Sequence, residues 1–297
     1  RDPEMSRGLG DVYKRQVLVN FFSESPEKLV ELYNAIEGTN YPKDTKIEIK
    51  TLKDALYKDR INDLSFVIDG QIVVLVEHQS TINNNMALRM LLYMGRVYES
   101  ILPTDMIYRS ERIGIPAPKF FVLYNGKKKQ PQHSVQRLSD AFINKQNNPM
   151  LDLVVDVWNI NYGEADERIF ANCQSLKEYS LFIHCVREKI AQGIDINEAV
   201  SQAVKDCIQN NVMREFLSEH GSEVENMLFT DWNWDTAIEV AKEEALEKGM
   251  EKGVIKSLCD LVYKGLLSLK DALNESSLSE PDFMSWMHQF HPDYRAQ

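Results

Sequence analysis

The sequence predicts an α/β fold on a mixed sheet, followed by an all-helical C-terminal region. Periodic segments follow one another in the order α-β-β-β-α-β-β up to about residue 163. The Asp69-Gly70 dipeptide between two apolar runs is a strong hairpin signal. No convincing strand pattern occurs after Glu164. This succession of strands and helices is typical of a sheet covered by helices.

The elements of the predicted core can be justified in chain order. The first helix begins at Ser25-Pro26, because serine caps a helix and proline fits its first turn, and it ends at Gly38. Valine, isoleucine and phenylalanine mark the strands, and Asn125-Gly126 closes one of them. The remaining elements are strands over residues 46–51, 63–68 and 71–77, a helix over residues 83–101, and strands over residues 119–124 and 151–160.

The domain organisation is predicted from changes in pattern. Residues 1–16 lack apolar periodicity, and we interpret them as a non-native scar. Residues 17–163 form the α/β domain and residues 164–297 the helical region. Glycine every fourth residue in EKGMEKG (247–253) weakens a helix by roughly 1 kcal/mol each, which indicates a polar helix or a linker. The predicted helices cover residues 164–171, 175–191, 195–209, 211–219, 234–273 and 280–289.

Charge and composition restrict the classes of function. The formal net charge of −11 argues against a general nucleic-acid coat, although residues 106–130 are locally basic. The four cysteines form no CxxC pair, so neither a zinc site nor a disulfide framework is predicted, and a reducing cytoplasm is the expected location. No secretory signal is visible and no apolar run could span a bilayer, so no membrane partner is expected.

The residues that indicate chemistry lie at the end of the strand that follows the hairpin. Glu77 and Gln79 share one face of that strand, whose two faces both begin apolar. A buried carboxylate is costly unless a cation compensates it. Two carboxylates, Asp63 and Glu77, could hold Mg²⁺, with the backbone carbonyl of His78 as a third ligand. Gln79 would then orient the attacking water or the phosphate.

The hairpin must meet one geometric condition for this site. A two-residue turn would place Asp63 opposite Val76, on the face away from Glu77. A three-residue loop of residues 68–70, with Gly70 in a bulge, instead places Asp63 opposite Leu75 and diagonal to Glu77 on the same face. We predict the bulged form.

Basic and aromatic residues near this strand are candidates for DNA binding. Arg89, Tyr93 and Arg96 have helical spacing that puts them on one stripe of the helix after the strand. The arginines could bind phosphate, or could pair with acidic neighbours at the edge of the helix. Lys127 and Lys128 follow the Asn125-Gly126 turn and could track a DNA backbone, or could be a solvated loop tip.

Asp63, Glu77 and Gln79 across a hairpin, followed by a helix, resemble the PD-(D/E)XK nucleases, which have the restriction-endonuclease-like fold, with Gln79 in the lysine position. More narrowly, the chain resembles the recombination-promoting nuclease / putative transposase (Rpn) family. The matching stretches are LVELYNAI (29–36), NDLSFVIDG (62–70), VEHQSTINNNMALRMLLYMGRVYE (76–99), PAPKFFVLYNG (116–126), RLSDAF (137–142), VVDVWNINYG (154–163), FLSEHGSEVENML (216–228) and EKGMEKG (247–253).

This resemblance implies a bacterial DNA endonuclease linked to recombination and transposition. Mg²⁺ is the implied cofactor, with Mn²⁺ or Ca²⁺ as alternatives; DNA is the implied partner, and a homo-oligomer is allowed. An acidic residue of the first helix, here Glu31, often reaches the metal in such nucleases, and the alternative is a solvated helix glutamate. Gln79 departs from the wider superfamily, because glutamine carries neither a proton nor a charge.

Two alternatives remain open from the sequence alone. The acidic net charge and Gln79 are also compatible with a catalytically weak or inactive PD-(D/E)XK-fold module that binds DNA or protein. A third interpretation makes the C-terminal helices the functional part, as a surface that binds a partner.

Overall fold

The computed structural model describes residues 12–50, 64–103, 105–276 and 278–294, with the backbone only at residues 12–13 and 229–251. The chain divides into two compact units, residues 1–233 and 234–297. The larger unit contains every strand that the structure describes. The boundary predicted near residue 163, and the assignment of residues 1–16 as non-native, stay predictions.

Six strands of the larger unit form one mixed sheet, as predicted for the α/β class. They are β1 (Ile47–Ile49), β2 (Leu64–Ile68), β3 (Ile72–Gln79), β4 (Ala117–Tyr124), β5 (His133–Arg137) and β6 (Val154–Asn159). Their order across the sheet is β1-β2-β3-β4-β6-β5. The pairs β3–β4 and β4–β6 are parallel, and the other neighbours are antiparallel. The carboxyl ends of β3, β4 and β6 therefore meet at one edge of the sheet.

Helices cover both faces of this sheet. They are α1 (Val12–Ser23), α2 (Pro26–Glu37), α3 (Met86–Ile101), α4 (Glu167–Asn172), α5 (Gln174–Ala191) and α6 (Ile196–Gln209). The predicted start and end of α2 are confirmed: the Ser25 side chain accepts from the Glu27 N–H, and Gly38 has a φ of 67°. α1 begins at Val12, so residues 12–16 are helical.

The two faces of the sheet bury separate apolar cores. Val73 and Leu75 of β3 pack with Met86 and Met90 of α3. Val74 and Val76 point the other way and belong to a larger cluster that includes side chains of α1, α2, α5 and α6. β3 is therefore buried on both sides, as its apolar sequence predicts. Any polar side chain on this strand has to find its partners within one of these layers.

The β2–β3 hairpin has a three-residue connection, but the prediction placed it one residue too early. Ile68 is the last residue of β2 and pairs with Ile72, so the loop is residues 69–71. Asp69 and Gly70 both have positive φ, and the Gln71 N–H donates to the Ile68 carbonyl at 2.9 Å. Gly70 tolerates this conformation because it has no Cβ. The register predicted from a loop over residues 68–70 is therefore wrong, and the predicted position of Asp63 lies outside the described residues.

Strand β5 was absent from the prediction. His133, Val135 and Arg137 point to solvent, while Ser134 and Gln136 are only half-buried. This strand lies at the edge of the sheet and pairs only with β6 in the described structure. An exposed edge strand does not need the apolar alternation on which the sequence prediction relied.

The end of helix α7 (Arg214–Tyr263) and helices α8 (Leu269–Ser276) and α9 (Glu280–Phe290) make up the described part of the smaller unit's helical structure. The helix predicted over residues 234–273 is wrong at both ends. α7 begins at Arg214 and so includes most of the separate helix predicted over residues 211–219, and it stops at Tyr263, with Gly265 following at a φ of 69°. The EKGMEKG segment lies within α7. Cys259, Phe283 and Met287 form a core within this unit. Among the described residues, we find no helix with the length and apolar character needed to cross a bilayer.

Candidate active site

Glu77 and Gln79 lie at the carboxyl end of β3, on the face that α3 covers. Glu77 pairs with Val122 of β4, and Gln79 pairs with Tyr124. Their side chains are buried, with relative exposures of 2% for Glu77 and 6% for Gln79. The two side chains therefore share one buried face of β3, as the alternation along the strand predicted. A carboxylate at this depth requires a compensating positive charge.

Arg89 supplies that charge. Its Nη2 donates to Glu77 Oε2 at 2.9 Å, and the same nitrogen donates to the Tyr93 hydroxyl at 2.8 Å. The Arg89 Nε also reaches the Tyr93 hydroxyl, at 3.3 Å. The spacing of Arg89 and Tyr93 on α3 was predicted correctly, but their connection to Glu77 was not, because it depends on how the helix packs on the sheet.

Gln79 is oriented by the first turn of α3. Its Nε2 donates to the Met86 sulfur at 2.6 Å. The backbone carbonyl of Gln79 accepts from the Asn125 N–H at 2.8 Å, which joins β3 to the segment after β4. The side chain is therefore held beside the start of the helix, on the same face as Glu77.

His78 lies on the opposite face of β3, among the helices of the larger core. Its Nε2 is 3.2 Å from the Tyr179 hydroxyl of α5, and the two rings meet edge to face. Burial, assisted by the cations Lys14 and Arg187, lowers the pKa of His78 from 6.5 to about 3. The imidazole is therefore a neutral packing group. Its backbone carbonyl as a metal ligand stays a prediction.

The depressed pKa of His78 predicts that stability falls in acid. Between pH 6.5 and about 3 the unfolded chain binds a proton at this residue that the folded chain does not. The free energy of unfolding should therefore decrease as the pH falls through this window, by up to about 1.4 kcal/mol per pH unit. Urea unfolding at several pH values would measure the slope. His78→Leu should flatten the slope, and equal slopes in this variant and the unsubstituted chain would contradict the assignment.

Glu31 is found in the layer that covers the face opposite Glu77. Its carboxylate accepts from the Gln174 N–H at 2.8 Å and from the Ser175 hydroxyl at 2.7 Å, at the start of α5. A carboxylate at a helix N-terminus is stabilised by the exposed N–H groups there. These contacts make Glu31 a cap of α5, and they lend no support to its predicted role at a metal.

The predicted DNA-binding residues are divided between two parts of the larger unit. Lys127 and Lys128 are exposed and follow β4, at the same sheet edge as Gln79. Arg96 is half-buried and lies two helical turns beyond Arg89 on α3. The basic segment 106–130 does not form one patch, because Lys119 near the start of β4 pairs with Glu37 of α2. Lys127 and Lys128 are thus the predicted DNA-binding residues of that segment that lie at this edge of the sheet.

A network of asparagines that the sequence prediction missed builds the edge beside the site. Arg187 of α5 donates to the Asn161 side chain at 2.7 Å and to the Asn125 backbone carbonyl at 2.6 Å. Asn161 in turn donates to the Gly126 carbonyl at 3.1 Å and to Asn159 at 2.9 Å. These bonds tie the ends of β4 and β6 together. In the sequence, the signal for this network was the asparagines of Asn125-Gly126 and Asn159-Ile160-Asn161, which follow two strands.

Gly126 allows the segment after β4 to approach the backbone at Ser80 closely. A Cβ at this position would overlap the Ser80 carbonyl and the Tyr124 hydroxyl. The Tyr124 hydroxyl in turn donates to the Lys128 carbonyl at 2.8 Å, so the turn carrying the lysines is anchored to β4. The glycine is required here by close approach of the chain rather than by a positive φ.

No curated protein and no solved structure matches the chain. A family model described as "Putative transposase, YhgA-like" matches residues 44–219, more than half of the 297 residues. The matched segment contains the whole described sheet, α3, and the site residues Glu77, Gln79 and Arg89. The family agrees with the resemblance to the putative transposases that the sequence motifs indicate. The chain therefore belongs to the family of YhgA-like putative transposases.

Proposed function

We propose that the chain is a divalent-metal-dependent DNA endonuclease with a PD-(D/E)XK-type core, acting in DNA recombination or transposition. The observation that carries the proposal is a buried carboxylate, Glu77, held against a positive charge at the carboxyl end of a central strand. Gln79 lies two residues further on the same face. Membership of a transposase family supports DNA as the substrate.

The chemistry of these side chains fits a hard cation such as Mg²⁺. Carboxylate and carbonyl oxygens are its preferred ligands, and Glu77 lies beside a cationic group, the guanidinium of Arg89. Asp63 directly precedes Leu64, which pairs with Val76 next to Glu77. We propose Asp63 and Glu77 as the ligands, with the His78 carbonyl as a third. Within the described residues, the one group of three ligand-type side chains close enough for a metal is Glu24, Glu219 and His220, remote in sequence from this strand.

A bound divalent cation would polarise the phosphate and lower the pKa of an attacking water. The contribution of Gln79 is positional, because its amide can donate and accept hydrogen bonds but cannot take the proton that the water loses. Its fixed contact with Met86 holds the amide in one orientation before substrate binds. In the hydrolysis the oxygen of water bonds to phosphorus and its proton passes to solvent, while the bond between phosphorus and the leaving oxygen breaks and that oxygen takes up a proton from solvent.

Lys127 and Lys128 are the proposed contacts for the DNA backbone at this edge. Both are exposed, and the turn that carries them is tied to Tyr124, the strand partner of Gln79. Lysines next to the scissile position would add sequence-independent affinity. Replacing both with alanine should weaken DNA binding about equally for all sequences and reduce its salt dependence, which fluorescence anisotropy at several salt concentrations would measure. An unchanged salt dependence would place the DNA elsewhere.

A non-catalytic module that binds DNA or protein is the second candidate. The observation that favours it is the Arg89–Glu77 ion pair itself, because it satisfies the carboxylate without a metal. A protein that has lost metal binding would keep such a pair as part of its fold. This candidate predicts no Glu77-dependent binding of divalent cations.

Plasmid cleavage by the purified full-length chain tests the proposal. Supercoiled DNA should be nicked or linearised with Mg²⁺ or Mn²⁺ and left intact with EDTA. Parallel assays with Asp63→Ala separate this activity from a contaminant, since a contaminating nuclease would survive the substitution. A folded protein that cleaves under none of these conditions would favour the binding module.

A further inference from the structure

The Arg89 guanidinium lies next to the Glu77 carboxylate, where a cation bound by this carboxylate would also lie. The ion pair joins a Glu77 side chain that is 3% exposed to an Arg89 side chain that is 35% exposed. The two partners therefore differ in freedom: Glu77 is fixed within the strand, whereas the arginine has access to solvent. Such a pair can open by movement of the arginine alone.

The Tyr93 side chain holds the guanidinium in this position. Its hydroxyl accepts from two nitrogens of Arg89, and its ring lies 5.7 Å from the guanidinium carbon. Tyr93 is 3% exposed and belongs to the core beneath α3. The arginine is thus held by the Glu77 carboxylate, by the Tyr93 hydroxyl one turn further along α3 and, at 3.5 Å, by the Met86 sulfur one turn before it.

We propose that Arg89 is an exchangeable counter-charge: it neutralises Glu77 in the metal-free protein, and a divalent cation displaces it toward the DNA phosphate. The inference rests on the proposed function, since it requires a metal at Glu77. Glu77 Oε2, the oxygen that Arg89 contacts, is then offered to the metal. Arg89 acts as a positioning residue, because its effect on the metal passes through Glu77.

Two consequences separate exchange from a purely structural role. The guanidinium competes with the metal for one carboxylate, so removing its charge should tighten metal binding. Once displaced, the guanidinium is available to phosphate, so its contribution to DNA affinity should depend on the metal. A structural arginine would instead give the same DNA affinity loss with and without metal.

The first experiment measures Mn²⁺ binding to the full chain by isothermal titration calorimetry at pH 8. Arg89→Gln should bind Mn²⁺ on the order of tenfold more tightly than the unsubstituted chain. Tyr93→Phe keeps the charge of Arg89 but removes the Tyr93 hydroxyl that holds the guanidinium. The affinity for Mn²⁺ should therefore rise by less than in Arg89→Gln. Arg109→Gln, which opens an exposed pair with Asp105, is the matched control and should change nothing. Urea unfolding of each variant confirms that it is folded.

Glu77→Gln in the same titration distinguishes failure of this inference from failure of the proposed function. If Mn²⁺ binding does not depend on Glu77, the proposed metal site is wrong, and the proposed exchange is wrong as well. If binding depends on Glu77 but Arg89→Gln and Tyr93→Phe both bind as the unsubstituted chain does, the nuclease proposal stands and the exchange alone is overturned.

The second experiment measures binding of a labelled duplex by fluorescence anisotropy, in EDTA and in Ca²⁺. Arg89→Gln should lose affinity at least about fivefold in Ca²⁺ and change little in EDTA. An equal loss in both conditions would show that Arg89 contacts DNA without being released by the metal, and would overturn the exchange. Gel electrophoresis of the recovered duplex verifies that it is intact.

Discussion

Glu77→Gln is expected to lower the proposed metal-dependent DNA cleavage by about a thousandfold or more, because the substitution removes the charge of the proposed metal ligand without changing the shape of the side chain. Arg89 is one-third exposed, so it can turn to solvent when its partner becomes neutral, and the fold should tolerate the change. The initial rate of plasmid nicking in Mg²⁺ is the measurement.

The control for this prediction is the same substitution on another strand of the sheet. Glu48→Gln on β1 removes a carboxylate that is 41% exposed and pairs with Lys46 and Lys50. It should leave cleavage unchanged, because exposed ion pairs contribute little and this one lies on the edge strand. Cleavage by Glu77→Gln at the rate of Glu48→Gln would exclude Glu77 as a ligand.

Gly126→Ala is expected to be the most destabilising small substitution at the site. The new Cβ would overlap a backbone oxygen of Ser80, which cannot rotate away, as well as the Tyr124 hydroxyl. Overpacking of this kind costs about 3 kcal/mol. The free energy of unfolding from urea titration should fall by that amount. Cleavage should fall too, since the shift would move the end of β4 against Gln79.

Gly95→Ala provides the matched comparison. Gly95 lies within α3, and a Cβ there would meet nothing within 4 Å. Alanine favours a helix over glycine by about 1 kcal/mol, so this variant should be more stable than the parent. If both glycine variants were destabilised alike, the close approach at Gly126 would not be the cause.

The features that sequence reasoning predicted correctly are those set by local pattern. Alternation along β3 predicted that Glu77 and Gln79 share a face, and helical spacing predicted that Arg89 and Tyr93 are neighbours. Ser25, Pro26 and Gly38 predicted the ends of α2 because capping uses only adjacent residues. Each of these inferences needs only the residues of one helix or strand, and no knowledge of what packs against it.

The features that sequence reasoning missed depend on contacts between elements. The hairpin loop was predicted one residue too early because three-residue loops over residues 68–70 and 69–71 both contain Asp69-Gly70, and strand pairing decides between them. The Arg89–Glu77 pair requires α3 to lie over β3, which no single-element pattern contains. The contacts of Glu31 with the start of α5 likewise depend on the packing of α2 against α5, and its role at a metal stays a prediction from the family resemblance.

The bonds from Arg187 to the segments that follow β4 and β6 have a consequence for how much of the chain the candidate site needs. The arginine that fixes Asn125 and Asn161 belongs to α5, which follows the last strand. A polypeptide released after residue 163 would lack this fastening and would leave the Val74 and Val76 face of the sheet without α5 and α6. During synthesis these bonds can therefore form only after α5 has left the ribosome. The ends of β4 and β6 are fixed by a helix made later, which delays completion of the candidate site until most of the larger unit exists.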